Sequence, residues 1–184
     1  MQSSERLTTT FSVSKGDTNM ATPTNLPASF VSGAILTAAQ QNDLRGAFRV
    51  LQVISDTNTA NVSVPNTNYV STGLSATITP QATTNKILVF VNVADCYKAT
   101  DAAGNGLNFQ LWKGAASIAQ LGSDFLRTDD TQRQHGQFDA FYIDSPATTS
   151  ATTYTVYAAN RTTGTCQTNF AASVSSLILV EISA

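Results

Sequence analysis

The side chains that could do chemistry in this chain are few and scattered. The single histidine, His135, sits in QRQHGQFD, and the two cysteines, Cys96 and Cys166, lie far apart in sequence. Nucleophilic catalysis needs a thiol or hydroxyl held against a base, and neither a nucleophile elbow nor another hydrolase motif surrounds any of these residues. His135 therefore reads as a surface-loop residue. Zinc is disfavoured, because one histidine and two distant cysteines lack ligand spacing. The cysteines read as two reduced thiols in or near a core, and a Cys96–Cys166 bridge would require their strands to be neighbours. Acids occur at Asp95, Asp101, Asp124, Asp129, Asp130, Asp139 and Asp144. A glycosidase needs two carboxyl groups held roughly 5 to 9.5 Å apart. No spacing here enforces that, and Asp129-Asp130 falls in a polar loop, LRTDDTQRQHG. The run from Asp101 to Gly106 faintly suggests a calcium loop but lacks the acidic density and distal glutamate of one, so it reads as a turn. Trp112, Tyr97, Tyr142, Tyr154 and Tyr157 could stack on sugars. In alternating β-sequence such rings more often serve a core or an interface. No catalytic, cofactor-binding or metal-binding residue is assigned, no cofactor is expected, and the expectation is a protein that is not an enzyme.

The elements that would position these residues are almost all strands. From Phe48 onward apolar residues follow a period of two or form short runs between turn residues. The pattern predicts strands at 49–54, 61–64, 75–79, 86–94, 107–112, 117–121, 137–143, 153–159, 168–172 and 176–182. The breaks contain Asn66, Pro80, Gly104, Gly106, Gly114, Gly122, Pro146 and Gly164, each a turn residue with a conformational reason. Many short strands without βαβ alternation predict an all-β fold, a jelly-roll-like β-sandwich. The loops 95–105, 127–136 and 160–168 are the best candidates for a recognition surface, since loops on a rigid scaffold carry binding.

Two strands break the simple alternation. In Lys86–Val93, Ile87, Val89, Val91 and Val93 occupy one face while Leu88 and Phe90 occupy the other. In Leu177–Ile182, Leu177 and Leu179 face one way and Ile178, Val180 and Ile182 the other. A strand apolar on both faces is covered on both faces, yet a two-layer sandwich offers its outer face nothing to pack against. The expected cover is a neighbouring subunit or an N-terminal helix, with a long loop as the simpler alternative. Leu88, Phe90, Ile178 and Val180 are accordingly candidate interface residues.

The N-terminal region differs from all of this. Residues 1–24 show no periodicity, and Met20 offers a second start. Pro23 and Pro27 keep the next stretch extended. Thr37-Ala38-Ala39-Gln40 matches a capping box, which predicts one short helix from Ala38 to about Ala47. Leu44 and Phe48, four apart, give it a narrow apolar stripe, and Gly46 weakens its end. Ten residues alone do not hold a helix in water, so it must dock. The expected organisation is an arm and helix over 1–48, a docking segment with Phe30, Ile35, Leu36, Leu44 and Phe48 as its apolar candidates, and a β-sandwich over 49–184.

Composition narrows the function classes. The chain has 184 residues, enough for one domain with an extension and a real core. Charged residues make up only 12%, about half the usual share, and Thr, Ser, Asn, Gln and Ala fill the deficit. A hydrophobic fraction of 42% argues against disorder. A net charge of −2 gives no basic footprint for nucleic acid or anionic lipid. No apolar run approaches the roughly 18 residues of a membrane span, and the first residues lack the apolar core of a secretory signal. Synthesis in a cytoplasm without a signal peptide is expected.

LPASFVSGAILTAAQQNDLRGAF (residues 26–48) resembles the N-terminal segment of many tailed-phage virion proteins, in which an F-x-x-G-x-x-L-T-A-A stretch precedes a short helix. TGLSATITPQATTNKILVFVNV (72–93), DSPATTSATTYTVYAANR (144–161) and SSLILVEISA (175–184) resemble a β-sandwich module of phage and cyanophage structural proteins. Such modules occur in capsid decoration proteins and at the distal ends of tail fibres and tailspikes. The resemblance implies a homotrimeric, non-enzymatic component of the virion surface. Fibre shafts announce themselves as heptads or β-repeats, and the chain contains neither. That favours a capsid decoration (cement) protein bound to the major capsid protein on the outer surface of the particle. The runner-up is a tail fibre, tailspike or baseplate protein that recognises host surface glycan. A free lectin-like or C1q-like module is a third class that fits the fold.

Overall fold

The computed structural model describes residues 50–183. The helix expected at 38–47, and with it Phe30, Ile35, Leu36, Leu44 and Phe48, lie outside the described residues. Within them the chain forms ten strands: β1 (Val50–Asn58), β2 (Val62–Val64), β3 (Val70–Ile78), β4 (Lys86–Lys98), β5 (Leu107–Lys113), β6 (Ala116–Phe125), β7 (Gln134–Asp144), β8 (Thr152–Asn160), β9 (Cys166–Thr168) and β10 (Ser175–Ile182). A 3-10 turn occupies Phe170–Ala172.

Setting aside the three-residue strands β2 and β9, the long strands pair in a nested order. The outermost, β1 and β10, are antiparallel neighbours, and inside them come β3 with β8, β4 with β7 and β5 with β6. One long hairpin ribbon has thus been rolled so that β10 also meets β4 and β8 also meets β5. The result is two antiparallel sheets, β1-β10-β4-β7 with β9 and β2 continuing along β4, and β3-β8-β5-β6. This is the jelly roll that the strand spacing predicts.

Alternation determines which side of each strand enters the core. Ile87, Val89, Val91 and Val93 of β4 and Leu177 and Leu179 of β10 are buried from the first sheet. Leu74, Ile78, Leu107, Phe109, Leu111 and Val156 meet them from the second. Phe109 and Phe138 stack across the layer, with ring centroids 4.2 Å apart. Each fully buried aliphatic side chain contributes about 1.5–3 kcal/mol.

Several strand predictions need correction. β1 runs on to Asn58, β6 runs on to Phe125 and β7 starts at Gln134. β3 begins at Val70 rather than Ser75, because its first half is polar and carries a bulge between Ser71 and Ser75. β4 runs on to Lys98 past a bulge between Val93 and Cys96. The strand expected at 168–172 ends at Thr168. Asn169, Ala171 and Ala172 take positive φ, and the buried Asn169 is tied in place at that turn. Its amide donates to the Ala94 carbonyl at 3.1 Å, its Nδ2 donates to the Ala60 carbonyl at 2.9 Å, and its Oδ1 accepts from Ser175 Oγ. Asparagine tolerates this conformation better than other non-glycine residues.

Candidate functional site

The outward face of the first sheet is apolar. Partners across an antiparallel ladder share a face, so the register defines rows. One row runs Val53, Val180, Leu88, Ile143 and the next Ser55, Ile178, Phe90, Phe141. Phe141 is 77% exposed, Val53 56%, Ile143 51% and Phe90 46%. A groove of about 470 Å³ opens beside the second row, lined by Phe90, Phe141 and Ile178 with Asn92, Asp139 and Ser176 at its polar end. There Asn92 Nδ2 donates to Asp139 Oδ1 at 2.7 Å, and Gln137 Nε2 donates to the same carboxylate.

Leu88, Phe90, Ile178 and Val180 are therefore brought together on one surface. Val53, Phe141 and Ile143 belong to it as well, although sequence reading did not single them out. The signal was present in Phe138–Ile143: a strand whose inward side is already supplied by Phe138, Ala140 and Tyr142 had no inward place left for Phe141 and Ile143.

Further along the same face lies a polar and aromatic cluster. The β4 bulge puts Asp95 at φ 40, a conformation uncommon for a non-glycine residue. Its carboxylate meets His135 Nδ1 at 2.7 Å. Arg133 Nε donates to His135 Nε2 at 2.9 Å. Tyr97 stacks on Phe170 at 4.6 Å with the Arg133 guanidinium 5.4 Å from its ring centre. His135, expected in a loop, stands instead on β7 opposite Tyr97. Both imidazole nitrogens are engaged within the cluster, by Asp95 and by Arg133, and among the described residues no hydroxyl or thiol is paired with them.

The remaining candidates are placed as follows. Cys96 and Cys166 are buried and unbridged. Their strands are indeed neighbours, but Cys166 lies opposite Lys98 rather than Cys96, and so the two thiols are offset along the ladder. Burial pushes the Cys96 thiol up to about 12 and the Cys166 thiol up to about 11, which removes the thiolate needed for reactivity. Tyr154 is buried, and its hydroxyl donates to Asp144 Oδ2 at 2.6 Å, the same oxygen that Lys113 Nζ reaches at 2.8 Å. Burial first, then the Asp144 bond and charge, push the Tyr154 phenol far up. Of the other aromatic candidates Tyr142 packs on the core. Trp112 and Tyr157 stack at 4.5 Å on the outward face of the second sheet.

Asp101 closes a turn, accepting from the Thr165 amide at 2.8 Å. Hydrogen bonds from Thr165 hold its carboxyl below the usual range. Among the described residues no group of three or more His, Cys, Asp or Glu side chains could hold a metal ion. The three candidate recognition loops do converge. Gly104 donates to the Thr128 carbonyl at 2.7 Å, Arg161 Nη1 donates to the Gly104 carbonyl at 2.9 Å, and the buried Lys98 ammonium donates to the Asp130 and Gln132 carbonyls. Parts of the loop segments turn out to be strand, at the start of β7 and in β9.

No family model matches the chain, and no curated protein is similar to it. Solved structures of similar shape include the VP2 subviral particle of infectious bursal disease virus. There the match has 14% identity, covers 72% of this chain and 33% of that one, and has a TM-score of 0.44. The infectious bursal disease virus Gt strain structure gives 10% identity, 73% and 38% coverage and a TM-score of 0.41. The chain spans about a third of the length of the subviral-particle subunit it matches.

Proposed function

We propose that this chain is a non-enzymatic structural protein of a phage virion, a homotrimeric capsid decoration protein that stabilises the assembled shell from outside. The observation that carries the reading is the apolar outward face of the β1-β10-β4-β7 sheet, a surface built to be covered by protein. It supports a component of an assembly. The likeness of residues 26–48 and of the β-phrases to tailed-phage virion proteins supplies the setting, and jelly rolls are a common architecture of viral capsid and lectin domains.

In this reading residues 1–48 dock on the major capsid protein and the sandwich faces outward. A trimer that bridges several capsid subunits binds only the assembled lattice and stabilises it by mass action. Neither nucleic acid nor membrane takes part. Quantitative mass spectrometry of purified particles tests this. Hundreds of copies per particle are expected, a handful would place the protein in the tail, and absence from the particle would end the virion reading. Deleting residues 1–37 is expected to abolish incorporation while leaving a folded trimer, and retained particle binding would overturn the docking assignment.

One observation favours a second reading, a tail or baseplate tip that recognises host glycan. The converged loops and the Tyr97, Arg133, His135 and Phe170 cluster present aromatic and hydrogen-bonding groups at one end of the sandwich. Glycan-array binding by the isolated protein would support that reading over decoration.

A further inference from the structure

We infer that the outward face of the β1-β10-β4-β7 sheet is the surface through which copies of this chain bind one another, with Phe141 of one copy seated in the groove beside Phe90 and Ile178 of the next. The proposal deepens the trimer of the reading above, yet it stands on the geometry of the face and does not need the virion.

The occupant follows from four features. The face carries both a knob and a hole. Phe141 is the most exposed large apolar side chain among the described residues, at 77%, and the groove of about 470 Å³ that it flanks is lined chiefly by apolar side chains. A knob on one copy that enters the hole of the next is a head-to-tail contact, and such contacts close into a ring when the rotation allows.

The second feature is charge. The two apolar rows contain no ionisable side chain, whereas Lys86 and Asp139 stand at opposite ends of the rows on β4 and β7. Copies can therefore meet without placing like charges in the buried centre, where such a pairing would cost several kcal/mol.

The third feature is the edge. Among the described residues β7 pairs only with β4. Its register against β4 is regular from Val93–Phe138 to Ile87–Asp144. Natural edge strands are blunted by bulges, prolines or charges; in Gln134–Asp144 the carboxylates Asp139 and Asp144 flank an uncharged stretch, Ala140–Ile143, without proline or lysine. The opposite sheet's edge strand β6, by contrast, has several register shifts against its neighbour. An uncharged edge stretch beside an apolar face suits a partner that is itself a strand-bearing domain.

The fourth is area. Phe141, Phe90, Val53 and Ile143 are each about half exposed or more, and with the half-buried Leu88, Val180 and Ile178 they make a patch on the order of several hundred Å². That is the core of an interface of roughly 800 Å² per partner rather than the whole of it, and an apolar patch of this size marks an interaction surface.

Sedimentation velocity of the full chain at micromolar concentration tests the proposal. A trimer is expected for the natural chain and for a Ser75→Asp control on the opposite sheet, and monomer for Phe141→Asp, with unchanged far-ultraviolet circular dichroism. Folding of the interface variant is checked independently by a cooperative thermal unfolding transition like that of the Ser75→Asp control. A monomeric natural chain would overturn the proposal, as it would if residues before Val50 covered the face within one chain. A Phe141→Asp trimer would overturn it equally. Protein absent from particles but trimeric through this face would sink the virion reading and leave the interface intact.

Discussion

The two outward faces of this sandwich have opposite chemistry although the two inward faces are alike. On the second sheet the outward rows are mostly hydroxyls and amides that satisfy one another, beside the stacked Trp112 and Tyr157. Ser75 and Thr155 hydroxyls lie 2.9 Å apart and Thr77 and Thr153 hydroxyls 2.8 Å apart. Gln110 Nε2 donates to Gln120 Oε1 at 3.1 Å while its Oε1 accepts from Trp112 Nε1 at 3.0 Å. Such a face needs nothing but water. The outward face of the first sheet has valine, isoleucine, leucine and phenylalanine at the equivalent places. Fold requirements do not account for the difference, because both sheets bury their other side in one shared core. An outward face reports what the domain meets, and an inward face only that it folds.

The comparison is tested most severely by taking one residue from each inward face. Leu179 and Leu111 are both fully buried, so Leu179→Ala and Leu111→Ala should each cost about 2–5 kcal/mol in chemical denaturation. If either cost under about 1 kcal/mol, the equivalence of the inward faces would fail. The outward faces should then separate. Val180→Lys puts an ammonium in the middle of the apolar rows and should weaken self-association by about 100-fold, in the range of an interface hot spot. Thr155→Lys, at a comparable depth on the other sheet, should leave association unchanged and shift stability by less than about 0.5 kcal/mol. Equal effects at the two positions would erase the distinction drawn here.

Much of this was legible in the sequence, and the limits have physical causes. Period-two alternation placed the strands, and the double-sided apolar pattern of Lys86–Val93 and Leu177–Ile182 identified half of the apolar face. The other half, Phe141, Ile143 and Val53, was not legible. A single strand does not say which strands flank it, and only the nested pairing brings β7 and β1 onto the same face as β4 and β10. The converging loops were named, but not what fixes them. Lys98 ends buried under the loop carbonyls, and nothing local to a lysine in a strand foretells that. The turn at Asn169 was misread as strand because Phe170, Ala171 and Ala172 continue an apolar pattern, whereas the tertiary bonds of Asn169 force a left-handed backbone.

A smaller effect separates the sheets at acidic pH. Glu181 is an inward-facing residue of β10 and fully buried. Burial opposes its charge, but hydrogen bonds from Asn85, Gln52 and the Gln81 and Ala82 amides outweigh it, so its carboxyl is held below the ordinary value. A depressed folded-state pKa gives stability that is fully present above the unfolded value of 4.5 and is lost as pH falls through the folded value. The natural chain should therefore lose melting temperature below about pH 4.5, and Glu181→Gln should flatten that limb while lowering stability near neutrality by about 1 kcal/mol. An acid limb unchanged in Glu181→Gln would assign the loss to other carboxylates.

The smallest effect is expected where the second sheet looks most organised. The hydroxyl pairs of Thr77 with Thr153 and Ser75 with Thr155 are exposed, and a bond between two groups that water can reach is exchanged for bonds of nearly equal strength. Thr77→Ala should change stability by no more than about 0.5 kcal/mol, within the range of cross-strand pair energies. Thr77→Val carries the sharper argument. It keeps the β-branched shape that suits a strand and removes only the hydroxyl. If this face is a solvent face, Thr77→Val should be neutral in melting temperature and should leave sedimentation unchanged at low concentration. If it induces association by itself, the face is one valine away from stickiness, and its short polar residues are then there to prevent contact rather than to stabilise the fold.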